Sequence, residues 1–163
     1  MKNLFFILLF VSFISNAQDL EEIRTEYPKA FENAEATNDL EGELAKVNSS
    51  SKSVLIAYKG AVSTVKAKFA KKKSEKMEFF KTGVSLIEST VKADPSNIEI
   101  RYIRMSVQEN SPKFLGYHKN IEEDKGFILK NYTSVSSIEL KQIIKKFIDE
   151  SINFNEVEKK SIN

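Results

Sequence analysis

The chain has 163 residues, with 25 basic and 23 acidic side chains and a net charge of +2. A nearly neutral total gives no reason to expect a nucleic-acid partner, because phosphate-backbone binding requires an excess of positive charge. There is no cysteine, so packing without disulfides has to stabilise the fold. Five glycines and three prolines are too few for the many tight turns of an all-β protein, which favours helices.

The N-terminal residues have the pattern of a secretory signal peptide. Lys2 supplies a positive charge, residues 4–14 are apolar at all but one position, and Ala17 ends a small-residue cleavage site. The apolar run is too short to span a membrane, and no cysteine follows it to carry a lipid anchor. We therefore expect residues 1–17 to be removed and residues 18–163 to form one domain. The expected location is the periplasm or the cell exterior, and the protein is not expected to be a lipoprotein.

The hydrophobic periodicity predicts helices along almost the whole of that domain. The predicted starts are Asp19, Asn38, residue 52, Ser74, Ser96, Lys119 and Ser136. The helix that begins at Ser96 has apolar residues on two sides, so we expect it to be the most buried helix, with Ile103 at its centre. Pro28 should kink the first helix or mark the first turn of a second one, and the tail over residues 151–163 should fray. The predicted fold class is all-α, a bundle of antiparallel hairpins with six to seven helices.

One hairpin resembles a known repeat. The helix pair over residues 52–93 is closed by Asp94-Pro95, and Gly83 lies twelve residues before Pro95. This arrangement resembles a tetratricopeptide repeat, in which a small residue lies where the two helices touch and a proline closes the second. The resemblance implies a tetratricopeptide-like hairpin architecture and no particular ligand. The mature chain is also similar to a group of small secreted helical proteins without an assigned activity, which implies no catalytic residues.

The sequence gives little support to catalysis or to metal binding. One histidine and no cysteine leave few metal ligands, and the three acids at 122–124 point around a helix instead of converging. No glycine-rich phosphate loop or Gly-x-Ser-x-Gly turn is present. We expect no metal, no cofactor and no enzymatic activity. The alternative from another class is a small hydrolase or lyase that uses His118 as its base.

The first candidate site combines two arginines with a downstream loop that holds aromatic residues and a histidine. Arginines one helical turn apart can bind a carboxylate or a phosphate, and aromatic side chains can form a rim around it. The candidate binding residues are Arg101, Arg104, Phe114, Tyr117 and His118. The alternative is structural. In it the arginines pair with nearby acids such as Glu99, Glu122 or Asp124, and Phe114 and Leu115 pack into the hairpin.

The second candidate is a basic stripe defined by lysines that recur every seven residues. Its members are Lys52, Lys59, Lys66 and Lys73. Residues 46–81 hold ten lysines and two acids, whereas residues 18–45 hold nine acids and two bases. The basic stripe can contact an anionic membrane surface or an acidic partner. The alternative is a solvated face that the acidic N-terminal helices partly neutralise.

These patterns favour an exported, non-enzymatic helical module for binding or scaffolding. A protein or peptide partner is more consistent with them than a small molecule, and weak contact with an anionic membrane is the other alternative. The partner's identity and the oligomeric state are left open by the sequence.

Overall fold

The computed structural model describes residues 20–162. Within them it has eight α-helices and no strand, which confirms the predicted all-α class. The helices are α1 (residues 20–30 of the described part), α2 (Ala34–Glu43), α3 (Ser53–Phe69), α4 (Lys73–Ala93), α5 (Ile98–Asn110), α6 (Ile121–Asn131), α7 (Ile138–Glu150) and α8 (Glu156–Lys160). The expected signal peptide and the predicted cap at Asp19 lie outside the described residues.

Several helices begin at a different residue from the one predicted. The side chain of Asn33, not Asn38, caps α2 by accepting from the backbone N–H of Ala36. Asn97 and Ser137 cap α5 and α7 in the same way, each one residue after the predicted position. A cap requires extended backbone at that residue, and composition cannot distinguish neighbouring Ser and Asn residues. Pro28 lies in the last turn of α1 instead of kinking a longer helix.

The backbones of α3 and α4 touch, and these two helices form the most extensive helix pair in the described residues. A Cβ atom on Gly60 would lie 2.8 Å from the carbonyl oxygen of Gly83, and a Cβ atom on Gly83 would lie closer still to the carbonyl oxygen of Gly60. The contact expected at Gly83 is therefore present, and Pro95 follows the end of α4 as expected. Only glycine allows helix axes to approach this closely.

Helix α5 is the centre of the domain, as predicted. All residues from Glu99 to Gln108 are buried, and Ile103 is fully inaccessible. Helices α3, α4, α6 and α7 all pack against α5. Edge-to-face aromatic contacts cross the core from α3 to the C-terminal segment, through Tyr58, Tyr27, Tyr102, Phe147 and Phe154.

A buried ion pair attaches α1 to this centre. Arg24 donates two hydrogen bonds of 2.7 Å to the carboxylate of Glu99, and the hydroxyl of Tyr58 donates to the same carboxylate. The hydroxyls of Tyr27 and Ser106 are also hydrogen bonded, at 2.7 Å. The N-terminal helix is therefore part of the core and not a detachable cover.

The expectation of a frayed C-terminal tail is corrected by the packing of that segment. Ser151 and Asn153 donate to the carboxylate of Glu109, and Phe154 and Ile162 are buried. Helix α8 has a capping box in which Asn155 and Glu158 satisfy each other's backbone N–H groups. Isolated apolar residues between polar ones show no helical period, so periodicity could not reveal this packing.

We predict that Gly83→Ala lowers the free energy of unfolding by about 1–3 kcal/mol or more, because the new methyl group would collide with the backbone of α3. Gly126→Ala is the matched control. Gly126 also lies in a helix, but nothing is within 4 Å of a Cβ atom there. Its replacement should stabilise the helix by about 0.5–1 kcal/mol. Urea unfolding of both variants measures the difference, and equal stabilities would show that α3 and α4 do not touch.

Candidate binding groove

Arg101 and Arg104 lie on α5 and bind Asp124 of α6. Two nitrogens of Arg104 are each 2.7 Å from one oxygen of the carboxylate, and Arg101 donates to it at 3.0 Å. The Asp124 side chain is fully inaccessible. Burial raises the pKa of Asp124, while the hydrogen bonds from the two guanidinium groups act in the opposite direction. The observed contacts are therefore those of the structural alternative, in which the two arginines pair with acids.

The same network extends to α4 and to the loop before α6. The hydroxyl of Tyr117 donates to Glu88 at 2.7 Å, and Glu88 also pairs with Arg104 at 3.3 Å. Burial, together with the Glu88 contact, raises the pKa of Tyr117, so its hydroxyl keeps the proton that it donates. We call Glu88, Arg101, Arg104, Tyr117, Glu123 and Asp124 the Asp124 network. It joins α4, α5 and α6 and has the contacts of a structural element.

His118 shapes the loop that follows α5. Its Nε2 lies 2.9 Å from the carbonyl oxygen of Ser111. Because a carbonyl oxygen only accepts, Nε2 carries the proton in this contact. Gly116 has φ +68°, a left-handed conformation that favours glycine and turns the chain between Leu115 and Tyr117. The loop is thus held by its backbone geometry and by His118.

Phe114 is not packed into the hairpin but is 85% exposed. It lies at the edge of a groove of about 600 Å³, between the tip of the α3–α4 hairpin, the end of α5 and the 3₁₀ turn Lys113–Leu115. The large apolar side chains in the groove lining are Phe31, Val65, Met77, Phe80, Val107 and Leu115. The sequence pointed to Phe114 but not to the groove. The local signal was an aromatic residue two positions after Pro112.

The structure divides the basic stripe among different surroundings. Helix α3 ends at Phe69, and the chain then turns, so Lys73 belongs to α4. Lys59 donates to the carbonyl oxygen of Val47, and Lys66 pairs with Glu41 of α2 at 2.6 Å. The acidic N-terminal part therefore neutralises Lys66, as the alternative interpretation expected. Lys52 lies exposed just before α3.

The groove has a one-sided charge. Among the described residues that line it are Lys68, Lys73 and Lys76, and none is acidic. Lys68 donates to the carbonyl oxygen of Phe31 at 2.8 Å. Lys73 and Lys76 are exposed, and their ammonium groups make no hydrogen bond or ion pair with residues 20–162. An apolar lining beside these cations suits a ligand that is apolar and carries negative charge.

A second depression of about 240 Å³ adjoins the groove, between α1, α5 and α7. Phe31 and Asn110 line both. The two hollows are therefore neighbours that share these two lining residues.

No family model, no curated protein and no solved structure matches this chain. Within the described range, no helix has both the length and the hydropathy needed to cross a bilayer. The same range contains no group of three or more His, Cys, Asp or Glu side chains arranged to hold a metal ion.

We predict that Asp124→Asn lowers the free energy of unfolding by about 3–5 kcal/mol, because it removes the fully buried carboxylate that Arg101 and Arg104 share and leaves them only the more exposed carboxylates of Glu88 and Glu123. Glu123→Gln is the control, since that carboxylate is 54% exposed and its pairing should contribute about 0–1 kcal/mol. Denaturant unfolding of the two variants separates the effects. A loss for Asp124→Asn no larger than that for Glu123→Gln would contradict the structural role of the Asp124 network.

Proposed function

We propose that the protein is an exported, non-enzymatic binding module that holds an apolar segment of a protein or peptide partner. The binding surface in this proposal is the groove between the hairpin tip and the end of α5. The observation that carries the proposal is the groove itself, about 600 Å³ of concave surface beside an exposed aromatic side chain. Ligand pockets usually enclose about 300–1,000 Å³.

The chemistry of the lining supports an apolar anchor in the ligand. Val65, Met77 and Phe80 present aliphatic, thioether and aromatic groups to the same space. Methionine adapts its shape to different partners, and aromatic residues at an interface supply much of its binding energy. Phe114 lies at the edge of the groove and has most of its area in water. A ligand that covers it gains hydrophobic burial.

The polar residues support binding over the hydrolase or lyase alternative. His118 is engaged with the backbone of its own loop, and Arg101 and Arg104 are engaged with Asp124. The ionisable side chains that line the groove are those of Lys68, Lys73 and Lys76. Charged lysines attract an anion and are poor general bases.

Two further parts of the proposal have separate support. Export is supported by the signal-peptide pattern of residues 1–17. A tetratricopeptide-like architecture is supported by the contact of Gly60 with Gly83 and by Pro95 after α4.

Selection from a random peptide library tests this function on the purified protein. We expect the recovered peptides to share apolar residues and to bind reversibly. Ala67→Trp places an indole in the groove lining and should weaken their binding by about tenfold or more. Ala93→Trp is the matched control, because Ala93 is an exposed helical alanine outside that lining, and it should leave the affinity unchanged.

The proposed function is wrong if selection enriches no peptide. It is equally wrong if both tryptophan variants bind the recovered peptides as well as the unaltered protein does, provided that both melt as the unaltered protein does.

A further inference from the structure

We infer that the ligand of the groove is an acidic peptide segment, in which carboxylate side chains beside the apolar anchor lie over Lys73 and Lys76. This inference rests on the proposed function, since it names the partner chemistry of the same groove. Three observations carry it: the charge of the lining, the absence of a carboxylate partner for its lysines among the described residues, and the second hollow beside the groove.

The lining of the groove carries positive charge that no acidic side chain in the lining balances. Lys68, Lys73 and Lys76 contribute three cations, and no acid from residues 20–162 faces the same space. The surrounding segment, residues 46–81, adds to this field with ten lysines against two acids. A concave site lined by one sign of charge concentrates ligands of the opposite sign.

The lysines of α3 have partners that differ from those of the two lysines at the start of α4. Lys59 and Lys68 donate to the carbonyl oxygens of Val47 and Phe31, and Lys66 pairs with the carboxylate of Glu41. Lys73 and Lys76 have no such partner among the described residues, and both line the groove. Glu41 therefore neutralises Lys66, but no acid among the described residues pairs with a lysine that lines the groove. The positive charge at the groove can therefore bind a carboxylate of the ligand.

The second hollow beside the groove favours an extended peptide over a single acyl chain. A fatty acid also has an apolar body and a carboxylate, but the main groove alone is large enough for it. The hollow between α1, α5 and α7 shares Phe31 and Asn110 with the groove, and its polar lining residues include Ser106, Glu109, Lys146 and Glu150. An extended peptide has an apolar anchor for the first hollow and backbone polar groups for the second.

The concave shape also favours a peptide over a membrane surface. A bilayer is contacted by side chains that protrude from a protein, whereas Val65, Val107 and Leu115 line a recess. A peptide side chain can enter that recess, and its neighbouring carboxylate then lies near the lysines on the rim.

The test repeats the library selection with a charge-reversed protein, Lys73→Glu/Lys76→Glu. With the unaltered protein, we expect aspartate and glutamate to be enriched next to the apolar residues. With the reversed protein, this enrichment should be lost while the apolar preference remains. Lys81→Glu/Lys92→Glu is the control, because it makes the same change in net charge at exposed positions of α4 outside the groove lining.

Synthetic versions of the recovered peptides give the magnitude. Replacement of their acids by asparagine or glutamine should weaken binding to the unaltered protein by about tenfold at low salt, since exposed ion pairs are worth a few-fold each and are screened by salt. The same replacement should strengthen binding to Lys73→Glu/Lys76→Glu by a few-fold, because it removes carboxylates that the two glutamates repel.

The outcomes distinguish this inference from the proposed function. Peptides that stay sensitive to Ala67→Trp but show no preference for acids would overturn the inference and leave the proposed function intact. An empty selection would overturn both. The inference is also wrong if no acidic peptide is recovered and dodecanoate or phosphatidylglycerol vesicles bind in a way that depends on Lys73 and Lys76. The ligand of the groove would then be a lipid.

Discussion

The backbones of α3 and α4 meet at Gly60 and Gly83, and this contact sets the direction of the hairpin whose tip forms two walls of the groove. From Gly60 to the end of α3 at Phe69 the helix continues for about 14 Å. Along that length, side chains of α3 and α4 lie next to each other and face the end of α5. A larger residue at either glycine would push the helices apart and change the shape of the groove.

Arginine and lysine side chains lie in different parts of the structure. The arginines are internal: Arg24 binds Glu99, and Arg101 and Arg104 bind Asp124. A planar guanidinium can form two parallel hydrogen bonds to a carboxylate, which suits a buried pair between helices. The lysines remain at the surface, where a strongly hydrated ammonium group is stable. The charge at the groove is therefore carried by lysines. Arg101 and Arg104, which were candidate binding residues in the sequence, instead bind Asp124 and join α5 to α6.

Much of the fold could be predicted from the sequence, because helical periodicity and the spacing of Gly83 from Pro95 are local signals. The burial of α5 followed from apolar residues on two of its sides. The groove could not be predicted from the sequence, because Val65, Met77 and Leu115 come from three separate segments and only the packing brings them together. The basic stripe does not lie along one helix, because its seven-residue spacing continues past the end of α3 and Lys73 starts another helix.

A crystal structure of the protein with one of the recovered peptides tests the central claim most directly. The account predicts that an apolar side chain of the peptide lies between Val65, Met77 and Phe80, with a peptide carboxylate within hydrogen-bond distance of Lys73 or Lys76. It also predicts that α3 and α4 keep their contact at Gly60 and Gly83. A peptide bound at another surface, with the groove empty, would contradict the account.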